Sequence, residues 1–364
     1  MKKMLCIVCV YIYICFNNTG DLSLWAQSLV THNDVSEEWD FEEARQFDFW
    51  IGEWDVNVRT IRPDNTWADW KRSKANIYSI LDGRAILELW EDQHNGAPMS
   101  VIIGYSLRYY DSQSGKWILW LNWPSVNTSG SSSLTGKFRH NRGEFFGRRP
   151  LNDSISLLSR YTFSDISPTS LRWDDAFSKD GGKTWTNSWI MEFSRIAEKP
   201  EEPKGNTLHT YRNGNRCTND EFIQLKKLIG NWSGTVKRKN ENWKEEEIYI
   251  ENYQVLGGCS VMSFLEIKKE KQESFKEFGL FTFNTFAKMY EVGILDNSPS
   301  SSYHASYGNF TNEQLQLSRT NQEDGSIEET HVLIFESGDT LKMEKWIYEG
   351  DQKVKVLEAT LALN

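Results

Sequence analysis

Arg84, Ile86, Glu88 and Trp90 alternate along one run of the chain. In a β-strand all four share a face, with Ala85, Leu87 and Leu89 on the other. A carboxylate, a guanidinium and an indole on one wall of a cavity could do two kinds of chemistry. Glu88 could act as an acid–base group, with Arg84 clamping an anionic intermediate. Alternatively the same groups could only orient a ligand, with Trp90, Trp120, Trp173 and Trp189 supplying dispersion contact and Arg108 and Asn122 further polar anchors. Both readings need the mixed set to face inward, where the charges require partners or a polar ligand. If it faces outward, Arg84 and Glu88 are a surface pair worth almost nothing. The uniformly apolar set Ala85, Leu87 and Leu89 favours the outward placement, because apolar residues normally face the core. The same choice of face attaches to Ser106, Arg108 and Tyr110, and to Trp120 and Asn122.

Other candidates point to structure. His140 lies in Arg139-His140-Asn141-Arg142-Gly143, a polar hairpin turn, which speaks against a general base there. Ser178-Lys179-Asp180-Gly181-Gly182-Lys183-Thr184-Trp185 fits the Asp-box pattern once, without the repetition a propeller needs, so its expected task is to hold a hairpin. The six His are scattered without His-x-x-x-His spacing, and the sole Cys-x-x-Cys, Cys6 to Cys9, lies in the opening segment. No Gly-rich phosphate loop and no Gly-x-Ser-x-Gly elbow is present. No metal and no cofactor is therefore expected. With 51 acidic against 41 basic side chains, a net charge of −10, the chain lacks the clustered cations that phosphate neutralisation requires, which excludes a nucleic-acid partner.

The elements that must position these residues are short strands. From Phe47 onward apolar and polar residues alternate between Gly, Asn, Asp and Ser: Val56–Val58, Ala85–Trp90, Val101–Tyr109, Lys116–Trp123 and Trp185–Phe193 all read as strands. Helical periodicity is confined to Phe41–Gln46 and Asp220–Leu228, each just ahead of a shared tetrapeptide, Ile51-Gly52-Glu53-Trp54 and Ile229-Gly230-Asn231-Trp232. Gly52 and Gly230 are 178 positions apart, and Gly83 and Gly258, like Gly104 and Gly279, are 175 apart. Landmarks at so constant an offset describe a tandem duplication. Strands in such number must hide their edges, and closing into an antiparallel barrel of eight to ten strands does so. The chain thus divides into a signal peptide (1–26), an N-terminal segment (27–40), a first barrel (41–197), a linker (198–219) and a second barrel (220–364). The opening Met1–Phe16, basic and then apolar, is too short to span a bilayer and implies secretion or a periplasmic location, with Cys15 a possible lipid anchor. Cys217 and Cys259 remain as one possible bridge. Of 16 Trp, 12 lie between Trp39 and Trp189 and 3 in the second half, so the first barrel is expected to hold an aromatic-lined pocket. The alternative is that Trp simply fills a wide barrel.

A short helix followed by Gly-x-Trp on the first strand resembles the opening of lipocalin-type (calycin) barrels. That resemblance implies an all-β fold of two tandem lipocalin-like antiparallel barrels, in which Trp54 plugs a closed end and Arg195 lies over it. The second half has no Arg in its final strand. His331 could ligate haem as in haem-binding calycins, though a solvent-facing strand His is far commoner. Phe47–Trp54, Gly136-Lys137-Phe138 with Gly143–Phe146, and Arg172-Trp173 leading into Ser178–Trp185 resemble secreted bacterial proteins of the DUF1579 type, over about Phe47–Arg195. That family implies a barrel with an internal cavity and no established reaction. The expected function is binding of a small hydrophobic or aromatic molecule in the first barrel. Alternatives are a cofactor-free isomerase, hydratase or hydrolase in the same cavity, and a packed scaffold whose function lies on an outer face.

Overall fold

A computed structural model describes residues 35–92, 101–122, 133–152, 155–200, 217, 219–269, 273–285, 287–321, 323–336, 339–350 and 352–364. The expected signal peptide, part of the N-terminal segment and most of the linker lie outside these residues. The fold is all-β. Strands β1 (Gly52–Thr60), β2 (Lys71–Ile80), β3 (Ala85–Asp92), β4 (Val101–Asp111), β5 (Lys116–Asn122), β6 (Ser133–Arg139), β7 (Arg142–Asn152), β8 (Ile155–Ser164), β9 (Ser170–Ser178) and β10 (Thr186–Ala197) close into one antiparallel barrel. A second closed barrel follows α1 (Asp220–Leu225). It comprises β11 (Gly230–Arg238), β12 (Glu245–Val255), β13 (Ser260–Lys268), β14 (Phe275–Asn284), β15 (Met289–Asp296), β16 (His304–Thr311), β17 (Gln314–Thr320), β18 (Ile327–Glu336), β19 (Thr340–Glu349) and β20 (Gln352–Leu363). Every strand pairs with its sequence neighbours, and the first pairs with the last, so neither sheet has an open edge.

The duplication is visible atom by atom. Short helical turns end at Trp50 in one half and at Leu228 in the other, and the following indole donates back to them: Trp54 Nε1 to Trp50 O at 2.8 Å, Trp232 Nε1 to Leu228 O at 2.9 Å. Gly52 and Gly230 open the first strands with φ of 136° and 131°. A Cβ on Gly52 would lie 2.5 Å from Ala197 O, so the closed end admits glycine alone. Arg195 stacks 4.1 Å over Trp54 and donates to the carbonyls of Ile51 and Pro168, each at 2.6 Å, and of Phe49. The single Asp-box is a turn between β9 and β10, in which Asp180 accepts from Thr184 Oγ1 at 2.6 Å and Thr184 N at 2.9 Å. These bonds hold its carboxyl down at about 2. His140 and Asn141, with φ of 51° and 57°, make the exposed β6–β7 turn.

The two barrels share a core. Ala85, Leu87 and Leu89 of β3 and Tyr105, Leu107 and Tyr109 of β4 belong to one buried cluster with the apolar residues of the second barrel. Tyr105 packs against Phe278 at 6.5 Å and Trp120 against Tyr303 at 4.9 Å, while Tyr303 N donates to Tyr109 Oη at 3.2 Å. The β2–β3 turn is locked to the same surface. Asp82 accepts from Asn297 Nδ2 at 3.0 Å and pairs with Lys276. Trp39, 2% exposed, reaches Asn297 O through Nε1 at 3.4 Å. Cys217 and Cys259 form a disulfide that ties the residue ahead of α1 to the turn before β13.

Candidate functional site

The face of β3 is opposite to the one its composition favours. Ile86, Glu88 and Trp90 point into the first barrel, and the apolar Ala85, Leu87 and Leu89 point out. Apolar residues do face a core, but that core lies between the barrels, so both faces of β3 are buried and alternation alone cannot orient it.

Arg84 is the first correction. It precedes β3, in the turn from β2, and lies outside the barrel interior. It is 1% exposed, with its guanidinium 4.8 Å over the Trp39 ring, and it donates to Asp296 O at 3.0 Å and to Ser301 O. Its task is to fasten one barrel to the other, so the Arg84–Glu88 pairing expected for an enzyme is not formed. Trp120 is the second correction, since it faces Tyr303 across the same interface. Asn122 ends β5, opposite Tyr105, and its side chain is outside the described ones.

Glu88 and Arg108 do meet. Cross-strand register places Glu88 opposite Ser106 and one pleat from Arg108. Ser106 Oγ donates to Glu88 Oε2 at 2.6 Å and Arg108 reaches the same oxygen at 3.2 Å. Trp50 lies 3.7 Å from the Arg108 guanidinium, with Phe47 and Phe163 at 5.4 and 5.6 Å. Burial brings Arg108 down to about 10, opposed by the Glu88 charge. Glu88 takes Nη2 of Arg108 beneath a roof of rings, the geometry of a structural ion pair, while the buried Nε and Nη1 of Arg108 have no hydrogen-bond partner among the described residues. Trp90, Trp173 and Trp189 also come together: Trp189 contacts Trp90 at 5.4 Å and Trp173 at 5.8 Å. Trp90 and Trp189 line a pocket of about 200 Å³ beside Arg59, Arg72 and Asp69.

The larger described hollow is in the second barrel. A cavity of about 590 Å³ is lined by Phe275, Leu265, Leu333 and Ile347 and by Arg238 and Lys345. A smaller lobe of about 40 Å³ continues inward to Asn252 and Leu228. Leu265, Glu277, His331, Leu333 and Met343 line both, forming a waist. The register explains their convergence, because Leu265 opposes Glu277, Leu317 opposes His331, and His331 opposes Lys345, placing them on one inward face.

A polar belt crosses this waist. The Glu329 carboxylate accepts from His304 Nε2 at 3.1 Å and His331 Nε2 at 3.2 Å, and pairs with Lys345 at 3.2 Å. Burial would raise its carboxyl, but the two histidine bonds and the Lys345 charge overcome that and hold it far below the usual carboxylate range. Burial pushes His331 down. Glu277 is different. Among the described residues it makes no side-chain hydrogen bond or ion pair, and burial raises its carboxyl to about 7, with Asp296 and Glu329 adding to the rise and Lys345 and His304 opposing it. Among the described residues no group of three or more His, Cys, Asp or Glu is arranged to hold a metal ion, which leaves the belt a hydrogen-bond network.

Reasoning from the sequence missed this site because it followed the tryptophans. Large rings pack together in the first barrel, among them Phe47, Trp50, Trp54, Trp117, Phe145 and Phe163, whereas the second barrel's half has only three Trp. The usable signal was the alternation Phe275, Glu277, Gly279, Phe281, which sets a carboxylate among apolar inward positions.

No family model matches the chain, and no curated protein matches it. Among solved structures it is similar to a protein of unknown function from the DUF3598 family of Nostoc punctiforme, at 9% identity over 89% of this chain and 100% of that one, with a TM-score of 0.23. It is also similar to a Nitrosomonas europaea protein carrying the provisional name AttH, at 9% identity over 92% and 99%, with a TM-score of 0.15. Likenesses this distant say nothing of what the chain binds.

Proposed function

We propose that this protein binds a small, mostly apolar ligand in the cavity of its second barrel, with the first barrel as the rigid body on which the second is mounted. The observation that carries the reading is the hollow of about 590 Å³, walled by Leu, Ile, Phe and Met and reaching a few polar groups at its waist. The Cys217–Cys259 bridge and the basic, then apolar Met1–Phe16 favour a secreted or periplasmic setting. The DUF1579-type resemblance of the first half rests on its own motifs and is part of this same reading.

A second reading keeps the ligand in the first barrel, favoured by the pocket that Trp90 and Trp189 line. Nile red separates the two. Replacing Leu265 and Leu333 with Trp fills the waist and should abolish the dye's emission in the full chain while leaving the melting temperature within a few degrees. Emission that survives this plug but disappears in Trp90→Ala/Trp189→Ala moves the ligand to the first barrel.

A further inference from the structure

The polar groups of the second-barrel cavity are unequally committed. Two of the cavity's three lining cations are spent inside the protein, Arg238 on Glu246 at 2.7 Å and Lys345 on Glu329 at 3.2 Å, and the third, Lys239, is exposed. Arg319, beside the same belt, reaches Glu328 at 3.1 Å and Glu329 at 3.7 Å. At the waist, among the described residues, what remains unpaired is acceptor. Glu277 extends inward from β14 at the waist with no partner among the described residues. Deeper, Asn252 spends its Nδ2 on Leu228 O at 2.7 Å, and its buried Oδ1 has no hydrogen bond among the described residues. Around Glu277 stand Asp296 on β15, His304 on β16, Glu329 and His331 on β18 and Lys345 on β19. With Glu329 paired to Lys345, Glu328 to Arg319, and Asp296 beside the Arg84 guanidinium, Glu277 is the carboxylate at the waist left without a counter-ion among the described residues. Glu277 is half-buried, and a partly desolvated carboxylate without a counter-ion carries a cost that a proton or a cation brought in from outside removes.

We infer that the ligand of the second barrel is a small apolar amine, its ammonium group ion-paired to Glu277 at the waist and its hydrocarbon body in the outer lobe. This rests on the second-barrel reading above and names the ligand class for that site. An apolar tail gains from the Leu, Ile and Phe walls whatever its head group, so the tail cannot discriminate. The head group can, because an alcohol satisfies Glu277 only as a neutral hydrogen-bond partner, and a carboxylate adds a second negative charge beside it. Proton and ammonium also compete for the same oxygens. Binding of the amine must expel the proton from Glu277, whereas binding of an alcohol need not.

The test uses the full chain and three probes of equal tail length, octylamine, 1-octanol and octanoate, titrated calorimetrically between pH 6 and pH 8.5. Octylamine should bind about 10- to 100-fold more tightly than 1-octanol at pH 8, as a charge-assisted pair requires. With Glu277 half-ionised at about 7, its affinity should fall about tenfold from pH 8 to pH 6 while that of 1-octanol stays level. In Glu277→Gln, whose shape is nearly unchanged, octylamine should drop to the 1-octanol value and lose its pH dependence. Equal binding of octylamine and 1-octanol by the wild type overturns the amine inference and leaves the cavity reading in place. Preference for octanoate overturns it likewise. Absence of binding by all three, together with Nile red emission that survives the Leu265 and Leu333 plug, overturns the second-barrel reading itself.

Discussion

Replacing Glu88 with alanine removes the only counter-charge that Arg108 has among the described residues. The guanidinium side chain is 2% exposed and its partner's 8%, so water cannot move in to compensate. Breaking a buried pair from one side costs about 3–5 kcal/mol, because an uncompensated charge stays behind. Glu88→Ala also strands the Ser106 hydroxyl, which donates to the same oxygen at 2.6 Å, and places the change at the upper end of that range. Arg108→Met leaves the carboxylate with Ser106 alone and should cost about 3 kcal/mol on the same ground. The double variant Glu88→Leu/Arg108→Met removes both charges at similar volume and should lie within about 1 kcal/mol of wild type or above it. With Glu88→Leu as the single variant that closes the cycle, the two single losses exceed the double loss by at least about 5 kcal/mol, a coupling that a shared buried interaction gives. Urea unfolding followed by Trp fluorescence measures it, since Trp50, Trp54 and Trp117 all lie within the first barrel's core. A Glu88→Ala variant that loses less than about 1 kcal/mol, or a double variant as unstable as the two singles summed, would refute a structural ion pair and reopen Glu88 as a functional carboxylate.

Three further outcomes follow from the geometry. Arg195→Ala leaves three carbonyls at the closed end without a donor and uncovers Trp54, and should lower stability by about 2–4 kcal/mol, with exchange protection lost first at Phe49–Gly52. Gly52→Ala should cost at least about 1–3 kcal/mol from backbone strain alone, read as a fall in melting temperature, because its φ of 136° and the Ala197 carbonyl leave no space for a Cβ. Glu277 ionises near 4.5 unfolded and at about 7 folded, so the folded state binds more protons between those values. Its contribution to stability is full below pH 4.5 and is lost as pH rises through 7, by about 3 kcal/mol in all. Unfolding free energies of wild type relative to Glu277→Gln should therefore decline between pH 4.5 and 7.5, and parallel profiles would contradict the burial of Glu277.

Much of the architecture is written locally. Alternation and turn residues specify strands, the Gly-x-Trp landmarks at constant offset specify two copies, and the sterics of Gly52 and Gly230 fix how each copy begins. Edge avoidance then leaves closure as the outcome, so two barrels follow from one-dimensional information. The arrangement of Trp54 beneath Arg195 is likewise a matter of which residues open the first strand and close the last.

The inward face of β3 is not a local property. Ala85, Leu87 and Leu89 are apolar because a second barrel covers them, and that barrel begins only at Gly230, so their composition points to the wrong core. Arg84 carries the same lesson, since its partners Asp296 and Ser301 belong to the other barrel. The site depends on tertiary structure most of all. A cavity is the difference between the volume a closed sheet encloses and the volume its inward side chains fill, and neither quantity exists before closure. Twelve tryptophans over the first half raise the filled volume there. Glu277 becomes a distinctive group only when β13 to β19 curve round to surround it with Leu265, Leu333 and Met343 and give it no partner among the described residues.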